Sequence, residues 1–222
     1  MEASFKLIKA YAKNLGVLAS TDYTEKLNEN ADLIGSSLDT LVVRYNAFGE
    51  NKISVGIGKF AQEGIKFLGE KRISSKRAEA LRKYITAGEE LIQNVCKTSK
   101  TFFEEKVAVE WIGTLNDEVK SLHEGLRSEL KEVESKNILE FIEVDERIAA
   151  LYDQIFLITN LNDALIKSID NLSKAHSKLS ENIQEKTKLE DVISELATFM
   201  SNVSELADLH EKLKVETRSN AK

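Results

Sequence analysis

The chain of 222 residues contains no proline. Average usage near 5% would supply about eleven. Proline breaks helix interiors, so its absence permits helices of almost any length. Glycine is scarce, at 10 residues, and Cys96 is the only cysteine. One cysteine excludes an internal disulfide and a thiolate zinc cluster, and it does not identify a compartment. No apolar run reaches the roughly 18 residues of a membrane span. The nearest, Ile148 to Leu161, is interrupted by Asp153, Gln154, Thr159 and Asn160. A strong charge of one sign is also missing. The formal net charge is −6, with 31 basic and 37 acidic residues interspersed. That mild acidic excess disfavours nucleic acid as a partner, because nucleic-acid binding needs a basic footprint.

What is present points to helices. Charged residues make up 31% and hydrophobic ones 42%, which excludes outright disorder. No Pro/Gly/Ser-rich linker divides the chain, so residues 1–222 are expected to form a single domain. Phe5, Ile8, Tyr11, Ala12 and Leu15 already follow helical periodicity. The N-terminal stretch lacks the apolar core of a signal peptide. A cytoplasmic location is the default expectation. A periplasmic or envelope location follows if Met1 replaces a removed export signal or a lipidated cysteine.

The clearest seam is Leu27, Ala31, Ile34, Leu38, Leu41, Tyr45 and Phe48, alternating spacings of four and three. Ser20, Thr21 and Asp22 supply N-cap candidates before it, and Gly49 supplies a C-cap after it. Phe48-Gly49-Glu50-Asn51 reads as a turn that folds residues 22–84 into a helical hairpin. Thr86 and Glu89 have capping-box spacing and suggest a break there. Thr98 to Thr101, with Glu104, suggests another. Long helices over 89–134, 138–184 and 188–215 complete the pattern, with stripes such as Leu115, Val119, Leu122, Leu126, Leu130 and Val133. The expected fold is all-α: an elongated antiparallel helical bundle of about five long helices with coiled-coil-like seams. Ile53 to Gly58 alternates like a strand but is short and leads into a helical pattern.

Motifs for chemistry fail on inspection. A di-iron bundle needs Glu-x-x-His twice. Lys120, Ser173 and Ala207 precede His123, His176 and His210 by three instead. Gly56-Ile57-Gly58-Lys59 lacks the leading glycine of a Walker loop, because position 53 is Ile53, and Phe60 stands where Ser or Thr belongs. His176, between Leu172 and Leu179, and Asn162, before Leu165, read as polar seam residues that set register. Cys96 reads as a small core residue. Two sequons, at Asn171 and Asn202, fall inside helical patterns. The sequence predicts no enzyme, no metal, no cofactor and no small-molecule substrate.

Residues 51–83 are the most unusual. Nine basic residues face three acidic ones there, among them Lys59, Lys66, Lys71, Arg72, Lys76, Arg77, Arg82 and Lys83. Residues 115–150 answer with ten acids and five bases. Gly56, Gly58, Gly64 and Gly69 lie within the basic stretch, as a hinge or as a close-packing face. The leading expectation is a non-enzymatic helical interaction or structural module that presents long faces to a protein partner or to itself. The competing one is a membrane-surface or envelope-associated protein, exported and lipid-anchored, that docks on anionic lipid through residues 52–83.

Overall fold

A computed structural model describes residues 1–19, 31–48, 53, 56–68, 74–130, 138–185 and 189–219. Seven α-helices and one π-helix occupy them: α1 (Glu2–Ala19), α2 (Ala31–Phe48), α3 (Ile57–Leu68), α4 (Ser74–Thr101), π1 (Phe102–Ile112), α5 (Gly113–Leu130), α6 (Ile138–Glu185) and α7 (Leu189–Ser219). No strand occurs among the described residues, so the fold is all-α. The alternating stretch that begins at Ile53 ends in the turn at Gly56 and enters α3. The Gly49–Asn51 turn and the caps at Ser20 to Asp22 lie outside the described residues.

Two of the breaks that the sequence suggests do not occur, and the described helices outnumber the five expected. No break occurs at Thr86–Glu89, where α4 runs straight through. At Thr98–Thr101 the chain does not restart either; α4 passes directly into π1. There the Gly113 amide reaches back five residues to the Ala108 carbonyl. Phe103, Val107 and Ile112 are the buried residues of π1, at spacings of four and five. That is wider than the 3.6-residue turn of an α-helix, so the local pattern fits the wider turn.

The chain divides into two compact units: Met1–Lys100 with Ser168–Asp208, and Thr101–Lys167 with Leu209–Lys222. In the first unit, Leu7, Tyr11 and Leu15 of α1, Leu38 and Val42 of α2, Ile65 of α3, and Leu81, Ile85 and Ile92 of α4 form the core. Leu172, Leu179 and Ile183 of α6 and Phe199 of α7 complete it. Helices α2 and α3 are antiparallel neighbours. Gly35 meets Gly58, Asp39 meets Gly56 and Gly58, and Asn46 meets Ile53. The Asn46 amide pairs with both backbone groups of Ile53, at 2.8 Å each. Gly56 has φ of 113°, a conformation open to glycine without strain, and the turn into α3 depends on it.

In the second unit, Val119 and Leu126 of α5 and Ile148, Ile155 and Ile158 of α6 are buried. Leu122, which belongs to the apolar stripe of α5, is instead 58% exposed. Asn162 is fully buried, and neither of its amide atoms has a hydrogen-bond partner among the described residues.

Candidate functional site

Three helices of the first unit converge on His176. The ring is 0% exposed, as is Tyr11. Glu89 Oε2 lies 2.6 Å from His176 Nδ1, and the Tyr11 hydroxyl lies 2.8 Å from Nε2. A carboxylate only accepts, so Nδ1 carries a proton, and the Tyr11 hydroxyl is the hydrogen-bond partner of Nε2. Ser177 donates to the other carboxylate oxygen at 2.7 Å. Gln93 donates to Ser177 Oγ at 2.8 Å and accepts from Ser173 Oγ at 2.6 Å. Lys100 pairs with Asp170 at 2.8 Å. Along α4 these positions rise, from 89 to 93 to 100, while along α6 they fall, from 176 to 173 to 170. The two helices are therefore antiparallel here, joined by a polar ladder. A slip of one turn would separate every rung.

Gly88 makes the arrangement possible. A Cβ at that position would overlap the Tyr11 ring and hydroxyl. Tyr11 stacks on Tyr84 at 4.9 Å and 17°, and presents an edge to Phe199. His176 packs edgewise on Phe199 at 5.1 Å. Offset and edge-to-face contacts of this kind add to the burial term.

Carboxylate, imidazole and hydroxyl in line is the wiring of an orienting acid, a base and a proton donor. Here it is spent internally. Burial raises the Tyr11 phenol well above its usual range. Both the phenol and the imidazole are enclosed among core side chains. Cys96 is likewise inert: burial pushes its thiol up to about 12. Among the described residues no group of three or more His, Cys, Asp or Glu could hold a metal ion.

The network ties stability to pH. Partial burial pushes the Glu89 carboxyl up, but hydrogen bonds from His176, Ser177 and Gln93 outweigh it and leave the group below its ordinary value. A carboxyl lowered by folding contributes stability above its unfolded pKa, and that contribution is lost as pH falls through the folded value. Urea midpoints of the wild type are expected to drop as pH falls through and below the ordinary carboxylate value of 4.5. In Glu89→Gln the drop should be smaller. An identical drop in both proteins would remove Glu89 as its source.

The second unit offers a different feature. Among the described residues, ten of the eleven exposed large hydrophobics belong to it. They include Val109 at 70%, Phe156 at 68% and Leu122, with Trp111 and Phe102 on π1. Val43 alone lies in the first unit.

Of the cationic residues singled out in the sequence, the structure describes the side chains of Lys59, Arg82 and Lys83. Lys59 is exposed on α3, and Lys83 is exposed and paired with Glu79 at 2.8 Å. Arg82 is half-buried. Lys71, Arg72 and Gly69 lie outside the described residues, as do the side chains of Lys66, Lys76 and Arg77. Gly64 lies within α3. Gly58 sits at a backbone-to-backbone approach with Gly35. His176 emerges with two partners that periodicity did not connect to it, Tyr11 and Glu89. The overlooked signal was Gly88, a glycine inside a strongly helical stretch that packing, not a break, accounts for. No helix among the described residues is long and apolar enough to cross a membrane. The chain matches no family model, no curated protein and no solved structure.

Proposed function

We propose that this chain is a non-enzymatic helical interaction module that binds a protein partner through the second unit. The concentration of exposed large hydrophobics in that unit carries the reading. Scattered surface apolar residues are ordinary, but a concentration on one part of a molecule marks an interaction surface. The first unit supports it from the other side. Its imidazole, phenol and thiol are all sealed in the core, where they hold helices together.

A photo-crosslinking residue at position 156, introduced in cells of the source organism, tests this reading. Position 43, exposed in the first unit, is the control. Discrete protein adducts are expected from 156 and none from 43. Equal labelling, or no protein adduct at 156, would end the proposal. Uptake on anionic vesicles that is lost in Lys59→Glu/Lys83→Glu would replace it with the membrane-surface reading.

A further inference from the structure

Helix α5 carries the observation. Between Thr114 and Glu129 it forms one wall of a groove of about 830 Å³, and Val144 of α6 contributes to the other. Two chemistries share the lining. Leu122 and Val144 are exposed apolar groups, and Asp117, Glu118 and Glu129 are exposed carboxylates. None of the three carboxylates has an ion-pair partner among the described residues.

Gly125 lies in the same lining. Glycine inside an exposed helix is destabilising against alanine, so something should repay it. At Gly35, Gly58 and Gly88 a neighbouring backbone or ring fills the space that a Cβ would take. At Gly125 nothing lies within 4 Å. The notch is open, and no packing among the described residues uses it. Charge points the same way. The second unit holds 17 acids and 11 bases, whereas the first holds 20 of each. The whole formal excess of −6 therefore belongs to the unit that carries the groove.

We infer that this groove receives a cationic amphipathic helix of a partner protein. The inference rests on the protein-binding reading and names the chemistry of its partner. Apolar residues at helical spacing on the incoming helix cover Leu122 and Val144 and enter the notch at Gly125, as in other helix-in-groove complexes. Lysines or arginines flanking that stripe meet Asp117, Glu118 and Glu129. The wall from Thr114 to Glu129 is about 24 Å long, enough for about four turns of the ligand. The same carboxylates repel an anionic membrane and steer a basic partner inward.

The test uses the full chain and two labelled peptides of about 16 residues. Both carry a leucine face; one has flanking lysines, and its twin has glutamines there. At low salt the lysine peptide is expected to bind at least about tenfold more tightly than the twin, an advantage that salt screens away. Asp117→Lys/Glu118→Lys should abolish that advantage. Gly125→Gln should weaken binding at least about tenfold by filling the notch. The Gly125→Gln protein stays folded because its new side chain meets open space, and an unchanged or higher melting temperature verifies this. Equal binding of the twin would overturn the inference, as would binding by neither peptide or insensitivity to both variants. Self-association that competes with the peptide and disappears in Gly125→Gln would also overturn it, by making a second copy the occupant. Peptide failure with adducts retained at position 156 leaves the protein-binding reading in place, whereas loss of both removes both.

Discussion

Tyr11→Ala is expected to lower the unfolding free energy by roughly 4–6 kcal/mol. Truncating a buried aromatic costs about 3–5 kcal/mol through lost burial and the cavity left behind. A further ~1 kcal/mol or more comes from His176, whose Nε2 would stay enclosed without its partner. The ring cannot be replaced by relaxation of one neighbour, since Tyr84 stacks on it and Phe199 meets its edge. Tyr11→Phe separates the two contributions. It keeps the stack and loses the hydroxyl, so about 1–3 kcal/mol is expected. Urea denaturation followed by circular dichroism measures both. A double-mutant cycle of Tyr11→Phe with Glu89→Gln should show coupling, because both groups act through one imidazole. A loss below about 2 kcal/mol in Tyr11→Ala would contradict the enclosed stack described above.

Gly58→Ala is expected to cost at least about 2 kcal/mol, although alanine is the better helix former. A Cβ there would lie 2.8 Å from the Gly35 carbonyl carbon and 2.9 Å from Asp39 Cγ, with the Gly35 oxygen nearer still. Backbone cannot swing aside as a flexible side chain does, so α2 and α3 would have to separate. Separation also loosens the Asp39 carboxylate from the amides of Gly56 and Gly58, which it accepts at 3.2 and 2.9 Å. Those amides lie at the N-terminus of α3, where a carboxylate caps free donors and opposes the positive end of the helix dipole. Gly125→Ala supplies the contrast. With open space around it, that substitution should stabilise by up to ~1 kcal/mol. The same chemical change thus carries opposite signs at two helical glycines. Equal effects in thermal unfolding would show that helix propensity, not close approach, governs Gly58.

Much of the helical pattern was legible in the residues. The stripe Phe5, Ile8, Tyr11, Ala12 and Leu15 is buried along α1. So are Ile148, Ile155, Ile158, Leu165, Ile169, Leu172, Leu179 and Ile183 along α6. Periodicity reports the face a helix buries, because burial acts on each apolar side chain separately. It reports breaks poorly. Thr86 and Glu89 have the spacing of a capping box, yet α4 continues through them, because Glu89 is engaged with His176 and Ser177 on α6. A capping residue and a cross-helix partner use the same oxygen atoms. Which donor they meet depends on what packs alongside.

The composition and spacing of this chain determined that it is helical and, along α1 and α6, which faces it buries. No proline interrupts the helices, and apolar residues recur at helical intervals, both properties of neighbours within a few turns. Tertiary structure alone decided that Tyr11 and Glu89 hold the two sides of His176, residues separated by 165 and 87 positions. It alone decided that Gly58 and Gly88 make room for neighbours while Gly125 makes room for none. It also left Leu122, a member of an apolar stripe, facing outward. Pairings across distant helices depend on which faces meet, and that choice is made by the summed packing of the whole core, not by any local interval.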